Sequence, residues 1–169
     1  MINQILDIYN SSKFDFTEYA CPNDPLKGNF SDWVNYYRLK FAISEAIKPS
    51  SILEIGVRYG YSAYSFLSAC PKAKYTGIDL DSDTFGGVKK SIEWAKSKLC
   101  NYNVNFIFED SQQIYDLPFD KYDLFHIDGQ QDGGGTYKDL ELAFHYSEWV
   151  LLDGHHWSSK NYLEANEFL

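Results

Sequence analysis

The chain has 169 residues, of which 44% are hydrophobic and 18% aromatic, so it can bury the core of one domain and is too apolar to be disordered. Its net charge of −9 argues against a broad nucleic-acid-binding surface, because phosphate neutralisation needs clustered Lys and Arg. No segment approaches the roughly 18 consecutive apolar residues of a membrane span, and the N-terminal segment lacks a signal-peptide pattern. The three cysteines have neither metal-site nor disulfide spacing. We therefore expect a reduced, cytoplasmic protein.

The first part of the chain predicts two helices joined by an irregular connection. Residues 1–13 carry apolar side chains at helical spacing, whereas the prolines and glycine of residues 15–30 interrupt regular structure. A second helix is predicted from Ser31, as its N-cap, to Pro49, which stops it. We therefore expect residues 1–48 to form a helical cap.

Residues 49–169 change to short apolar runs that alternate with helical stretches. The runs predict β-strands at 51–55, 75–79, 104–108, 122–127 and 149–152. The stretches between them predict helices over 61–70, 84–99, 111–116 and 136–146. Such alternation is typical of an α/β fold in which right-handed crossovers place helices on both faces of a mostly parallel sheet. One compact, three-layer, doubly wound domain is therefore expected here.

The segment from Ile52 to Ser62 is a candidate ligand-binding turn. A strand ends near Glu54, Gly56 and Gly60 allow a tight turn, and a helix begins near Ser62. The free N–H groups at such a helix start bind anions, but the G-x-x-x-G spacing differs from the G-x-G-x-x-G of dinucleotide-binding loops. The acidic Glu54 would repel a pyrophosphate and suits a ligand that carries ammonium and sulfonium groups. A glycine turn without any ligand is the alternative interpretation.

Carboxylates follow the next two predicted strands at the equivalent position. Asp79 ends the second strand and could accept both hydroxyls of a ribose, with Asp81 as the second candidate. The segment Glu109–Ser111 follows the third strand, where a carboxylate could accept a hydrogen bond from an adenine amino group. Acids that merely cap helices are the alternative. Three acids in register with a glycine turn favour a nucleoside site.

These segments together resemble a known family. LEIGVRYGYSAYSFLS, YTGIDLD, FIFEDSQQI and FDKYDLFHIDG are similar to motifs of the class I S-adenosylmethionine-dependent methyltransferases, in particular the catechol and caffeoyl-CoA O-methyltransferase branch. The resemblance covers residues 51 to about 157 and implies a Rossmann-like sheet with strand order 3-2-1-4-5. It implies S-adenosylmethionine as the cofactor, bound at Glu54, Gly56, Gly60, Tyr61, Ser62, Asp79, Asp81, Asp110, Ser111 and Asp128. Within this set the glycine turn would surround the methionine end, Asp79 would hold the ribose, and Asp110 would flank the adenine.

The fourth and fifth predicted strands lead to a possible metal site. If their ends are neighbours, Asp128 and Asp153 lie about 4.8 Å apart in the hydrogen-bonding direction and could share a divalent cation such as Mg²⁺. The branch that the chain resembles binds magnesium there, but it has Asn where this chain has Gly154. Gln130–Gln131 likewise replaces the usual continuation after the first acid.

Two adjacent histidines follow Asp153. His155 or His156 could be a transition-metal ligand or, with Asp128, the catalytic base that removes a hydroxyl proton from an acceptor. Loop histidines packed near Trp157 are the alternative. Gly133–Gly135 is expected to form either a mobile flap beside the site or a plain flexible connection.

The sequence therefore predicts a methyltransferase that methylates a small molecule, with oxygen as the favoured acceptor atom and no nucleic-acid or membrane partner. A non-catalytic S-adenosylmethionine-binding module and, less favoured, a nicotinamide-dependent oxidoreductase are the alternatives, and a homo-oligomer is left open. Residues 158–169 predict the start of a helix. Because a complete fold of this type continues into further strands, we expect the chain to be shortened or to continue beyond its last residue.

Overall fold

The computed structural model describes residues 1–84, 86–115, 117, 121–131 and 134–169. Its helices are α1 (Ile2–Ser11), α2 (Phe30–Ile47), α3 (Tyr61–Ala69), α4 (Ser91–Lys98), α5 (Thr136–Tyr146) and α6 (Ser159–Phe168). Its strands are β1 (Ser51–Ile55), β2 (Lys74–Asp79), β3 (Asn103–Phe108), β4 (Tyr122–Ile127) and β5 (Ser147–Leu152). Short 3₁₀ turns lie at Phe16–Glu18, Lys27–Asn29 and Ser111–Gln113.

The strands form one parallel sheet in the order β3-β2-β1-β4-β5, which confirms the expected topology. The central strand β1 pairs with β2 on one side and β4 on the other, so Glu54 lies opposite both Gly77 and His126. The chain proceeds outward from β1 to β3 and then returns across β1 to β4 and β5. The carboxyl ends of β1 and β4 therefore flank the point where the strand order reverses, which is where such sheets bind ligands.

Helices cover both faces of this sheet, as the three-layer prediction requires. On one face α2, α3 and α4 pack over a core that includes Ile52, Phe66 and Tyr75. On the other face α5 and α6 pack over a second core that includes Phe125 and Leu140. Burial of each large apolar side chain contributes about 2 kcal/mol, so the two cores fix the sheet between its helical layers.

The helix predicted over 84–99 is shorter than expected. It begins only at Ser91, because Lys90 has a left-handed φ of 69° and Gly86 a φ of 78°, and neither conformation continues a right-handed helix. Residues 86–90 instead lie outside the helix, and Gly86 and Gly87 border the cavity described below, whereas residue 85 is outside the described residues.

Two other predicted features fall partly outside the described residues. The helix predicted over 111–116 is a 3₁₀ turn that ends at Gln113, and Asp116 is not described. Within the predicted Gly133–Gly135 flap, Gly133 likewise lies outside the described residues. Among the helices in the described ranges, none is both long enough and apolar enough to cross a membrane.

Candidate active site

A cavity of about 560 Å³ lies at the carboxyl edge of the sheet. The segments that follow β1, β2, β3 and β4 all contribute lining residues. The predicted cofactor residues that line it are Gly56, Tyr61, Ser62, Asp79, Asp110, Ser111 and Asp128. Pockets for small ligands span roughly 300–1,000 Å³, so this cavity has the size of a ligand site. The fold thus brings residues from four strand ends to one place.

Three predicted cofactor residues are not among the lining residues. Glu54 is only 1% exposed and lies inside the sheet layer. Gly60 packs beneath the turn, where a Cβ atom would lie 2.9 Å from the Cβ atom of Ala95. Asp81 faces the start of α4 and accepts a hydrogen bond from the Ile92 N–H at 3.4 Å. These three residues therefore lie outside the lining of the cavity.

Gly56 brings the ends of β1 and β4 into contact. Its φ is 85°, and a Cβ atom at this position would lie 2.1 Å from the carbonyl oxygen of Asp128. The Asp128 N–H donates to the Ile55 carbonyl at 2.8 Å, which extends the pairing of the two strands by one hydrogen bond. Only glycine tolerates both the backbone conformation and the close approach. The turn predicted from the sequence is therefore also the place where the ends of the two central strands contact each other.

Asp79 anchors the glycine turn while it lines the cavity. Its Oδ2 atom accepts hydrogen bonds from the N–H groups of Val57 at 2.7 Å and Arg58 at 2.8 Å. Its Oδ1 atom accepts a hydrogen bond from the Asp81 N–H at 2.6 Å. An ionised carboxylate has about four acceptor positions, so three protein donors leave roughly one for a ligand. The same side chain can thus shape the turn and contact a bound molecule.

The N-terminal connection supports the turn through Asp24, a residue that no sequence motif indicates. Asp24 is 1% exposed, and its two carboxylate oxygens accept hydrogen bonds from the Arg58 guanidinium at 3.0 and 3.3 Å. The Tyr61 hydroxyl donates to the same carboxylate at 3.0 Å. Because Arg58 also has a left-handed φ of 51°, this partly buried ion pair holds a strained turn residue in place.

A second residue missed at the sequence level is Lys40 of α2. It is 4% exposed, and its Nζ atom donates to Asp153 Oδ2 at 2.6 Å and to Ser62 Oγ at 2.8 Å. The same Nζ atom lies 3.6 Å from Asp128 Oδ2. The Tyr36 hydroxyl also donates to Asp153 Oδ2. A buried ammonium group therefore lies between the carboxylates that follow β4 and β5.

Burial moves the pKa values of this charged cluster. It lowers the pKa of Lys40, an effect that the negative charges of Asp128 and Glu54 oppose. It also raises the pKa of Asp153 to about 6, against the hydrogen bond from the Gly154 N–H. A sequence signal for Lys40 did exist. The residue is spaced by three positions from Tyr37 and by four from Ser44, which places it on the side of α2 that faces the rest of the protein.

Glu54 and His126 form a buried pair behind the cavity. His126 Nδ1 lies 3.0 Å from Glu54 Oε1, and the Tyr75 hydroxyl donates to Glu54 Oε2. Burial raises the pKa of Glu54 to about 7, and burial followed by the charge of Lys40 lowers the pKa of His126 well below its usual range. The imidazole is therefore neutral near pH 7. Among the described residues, its Nε2 atom has no hydrogen-bond partner and lies 3.6 Å from Asp153 Oδ2.

The two predicted catalytic histidines lie elsewhere. The rings of His155 and His156 contact Tyr162 of α6, with ring centroids 5.2 and 5.1 Å from that of the tyrosine. His155 Nε2 lies 3.3 Å from Asn166 Nδ2. Neither histidine lines the cavity, whereas the neighbouring Trp157 does. The structure therefore groups Asp128 with Lys40 and Asp153 rather than with these imidazoles.

A family model described as a methyltransferase domain matches residues 53–149, which is more than half of the chain. The chain belongs to the methyltransferase domain family. The matched region runs from β1 into β5 and contains the glycine turn, Asp79, Asp110 and Asp128. No sequence among the curated proteins matches the chain at a significant level.

The fold of this chain is shared with several solved structures. The O-methyltransferase TomG from Streptomyces achromogenes, solved with SAM, has a TM-score of 0.65 and 16% identity over 99% of this chain and 82% of its own. An O-methyltransferase from Bacillus cereus, solved with SAH, has a TM-score of 0.57 and 16% identity over 99% and 76% of the two chains. An SAH-bound methyltransferase from Podospora anserina has a TM-score of 0.60 and 16% identity over 90% of this chain. The chain spans 62% of the length of that last protein.

Proposed function

We propose that this methyltransferase binds S-adenosylmethionine in the carboxyl-edge cavity and transfers its methyl group to an oxygen atom of a small molecule. The observation that carries the proposal is the composition of the cavity, which gathers the glycine turn at Gly56 and the carboxylates of Asp79, Asp110 and Asp128 from four strand ends. Membership in the methyltransferase domain family supports methyl transfer over a nicotinamide-dependent oxidoreductase or a non-catalytic binding module.

Asp79 and Asp110 are suited to the nucleoside part of the cofactor. Asp79 retains roughly one acceptor position for a ribose hydroxyl after its three backbone hydrogen bonds. Asp110 Oδ1 accepts a hydrogen bond from the Gln112 N–H at 3.0 Å, so its second oxygen is available to an adenine amino group. Ser111 adds a hydroxyl beside it on the cavity wall. These contacts support the order of ribose and adenine sites that the sequence predicts.

Asp128 is suited to the reactive end of the cofactor. Its side chain is 31% exposed and borders the cavity, so its negative charge favours a ligand that carries positive groups. Gln131 Nε2 donates to Asp128 Oδ1 at 2.7 Å and thereby orients the carboxylate. Ser62 lines the same part of the cavity and is itself fixed by Lys40. These residues would hold the methionine end next to the turn at Gly56.

Bound S-adenosylmethionine supplies a methyl group that a positively charged sulfur already activates. The chain then has to hold the acceptor oxygen in line with that methyl group. We assign to Asp128 Oδ2 the acceptance of the hydroxyl proton as the new oxygen–carbon bond forms. His155 and His156, which the sequence suggested for this role, lie against Tyr162 instead.

The acceptor is proposed to be a small molecule with a flat or apolar part. Trp157 lines the cavity with 78% of its surface exposed, so its ring is available at the open side. The net charge of −9 supports a small molecule over a nucleic acid.

Two wider predictions remain proposals. We divide the chain into a helical cap, residues 1–48, that supplies Tyr37 and Lys40, and a cofactor-binding unit, residues 49–169. We also place the protein in the cytoplasm, which its three free cysteines support.

Calorimetric titration with S-adenosylhomocysteine tests the cofactor, with NAD as the control ligand. We expect saturable binding of S-adenosylhomocysteine and none of NAD. The variant Asp79→Asn should weaken binding about 10- to 100-fold, because hydrogen bonds to a charged acceptor contribute roughly 1.5–3 kcal/mol.

Asp81→Asn is the matched control, since Asp81 follows the same strand but does not line the cavity. It should leave the affinity within about threefold of wild type. Denaturant unfolding of both variants separates lost binding from lost folding. Absence of S-adenosylhomocysteine binding by the folded wild type would rule out the proposal, and binding of NAD instead would favour the oxidoreductase.

A further inference from the structure

The resemblance to catechol and caffeoyl-CoA O-methyltransferases implies a divalent cation at Asp128 and Asp153. The residues around Lys40 determine whether such a cation fits there. Magnesium requires six oxygen ligands at about 2.0–2.1 Å in near-octahedral geometry. Here the carboxylate oxygens already serve protein donors. Asp153 Oδ2 accepts from Lys40 and Tyr36, and Asp153 Oδ1 accepts from the Gly154 N–H at 2.8 Å.

Asp128 offers little more to a metal. Its Oδ1 atom accepts a hydrogen bond from Gln131 Nε2 at 2.7 Å, and its Oδ2 atom faces the Lys40 ammonium at 3.6 Å. Both carboxylates are therefore oriented by protein groups, and the oxygens that point toward each other have a cation of the chain between them. This donor set does not fit a hydrated magnesium ion.

The ammonium group lies beside the space that a softer metal would occupy. One ligand atom each from His126, Asp128 and Asp153 lies within 4.8 Å of the other two, which is close enough for all three to ligate one ion. Lys40 Nζ is 2.6 Å from Asp153 Oδ2 and 3.6 Å from Asp128 Oδ2, so it borders the same space. A metal ion there would lie within a few ångströms of a second positive charge, which is strongly repulsive in a buried site.

The surrounding charges explain why a cation is needed at this point. Lys40 Nζ lies 2.6 Å from Asp153 Oδ2 and 3.6 Å from Asp128 Oδ2, and the charge of Glu54 also acts on it. The rings of Tyr36 and Tyr37 lie 4.3 and 5.6 Å from Lys40 Nζ and close the site from the side of α2. Buried carboxylates that lack a partner would be costly, so one positive charge is required and Lys40 provides it.

We propose that Lys40 supplies the positive charge that the divalent cation provides in the O-methyltransferase branch, so that this chain transfers methyl groups without a metal. Lys40 is a positioning residue. Its 4% exposure keeps it from contacting a ligand in the cavity, but it orients Asp128 and Asp153 and fixes the Ser62 hydroxyl. The part of the inference that concerns turnover rests on the proposed function, whereas the part that concerns metal binding does not.

The proposal predicts that removal of Lys40 creates a metal site. Calorimetric titration of the wild type with Mn²⁺ or Zn²⁺ up to millimolar concentration should show no saturable binding. Lys40→Ala removes the competing charge and exposes His126, Asp128 and Asp153 to the ion, so its affinity should rise by about tenfold or more. The double variant Lys40→Ala/Asp153→Asn should lose this gain because it lacks one ligand.

Activity and binding of S-adenosylhomocysteine provide the second measurement. Wild-type turnover with a phenolic acceptor should be unchanged by EDTA and by added Mg²⁺. Lys40→Arg retains the charge and should retain part of kcat, whereas Lys40→Met removes the charge and should lose most of kcat. If Lys40→Ala fails to fold, the wild-type titration and the EDTA assay still decide the question.

Two results would overturn the inference. One is saturable metal binding by the wild type together with loss of activity in EDTA, which would mean that a metal displaces Lys40. The other is a folded Lys40→Ala variant that gains no metal affinity, which would mean that the ammonium does not compete for a metal site. A wild type that fails to bind S-adenosylhomocysteine would contradict the proposed function and leave the metal titrations interpretable.

Discussion

Replacement of Gly56 by alanine tests the contact between β1 and β4 on which the cavity depends. The new Cβ atom would lie 2.1 Å from the Asp128 carbonyl oxygen and 2.5 Å from its carbonyl carbon. Because both are backbone atoms, no side-chain rotation can relieve the overlap, and overpacking of this kind costs roughly 1–3 kcal/mol. The φ of 85° adds about 1–2 kcal/mol for any residue with a Cβ atom. We expect Gly56→Ala to lower the free energy of unfolding by about 2–5 kcal/mol.

Gly86→Ala is the matched control for this variant. Gly86 has a similar φ of 78°, but a Cβ atom there would meet nothing within 4 Å, so only the conformational cost of about 1–2 kcal/mol applies. Urea denaturation of both variants and the wild type measures the difference, provided that the denaturant slope stays constant. Gly56→Ala should also weaken S-adenosylhomocysteine binding, because the strand ends that line the cavity must separate. Equal destabilisation by the two substitutions would refute the claim of a close approach at Gly56.

Two further predictions concern buried carboxylates. Burial raises the pKa of Asp139 to about 7 in the folded protein, above an unfolded value of about 3.9. Folding therefore takes up a proton between these two values, and the contribution of Asp139 to the free energy of unfolding falls as the pH rises from about 4 to 7. The free energy of unfolding of Asp139→Asn, measured by urea denaturation, should rise relative to that of the wild type by up to about 4 kcal/mol between pH 4 and pH 8. If the unfolding free energies of the two proteins change with pH in parallel, the pKa of Asp139 is not raised. Asp24→Asn weakens the buried pair with Arg58 and should cost about 3 kcal/mol, compared with less than about 0.5 kcal/mol for the exposed cap variant Asp15→Asn. An equal cost for these two variants in the same assay would show that the Arg58 pair contributes no stability.

Periodicity predicted the sheet of this protein well. The strands are short apolar runs between polar turns, and their alternation with helical stretches allows few topologies other than a parallel sheet. The helix predicted over 84–99 was wrong at its start, because helical spacing of apolar residues does not register the left-handed φ of Lys90. Helix boundaries depend on the backbone conformation of single residues, and the spacing of apolar residues carries no information about it.

The sequence by itself determined the parts of the site that belong to one segment each. The glycine turn at Gly56 and the acids at Asp79, Asp110 and Asp128 are readable because each directly follows a strand, and the carboxyl ends of parallel strands meet at one edge. The family resemblance of these segments rests on the same local motifs.

The tertiary structure alone decided which distant side chains complete that edge. Lys40 and Asp153 are 113 positions apart, and Asp24 and Arg58 are 34 apart, so only the packing of α2 and the N-terminal connection against the sheet brings them within hydrogen-bond distance. Burial then set the pKa values of the buried groups, because the cost of desolvating a charge depends on all the atoms packed around it. Those atoms come from distant parts of the sequence. His155 and His156 illustrate the converse, because their nearness to Asp153 in sequence did not place them in the cavity.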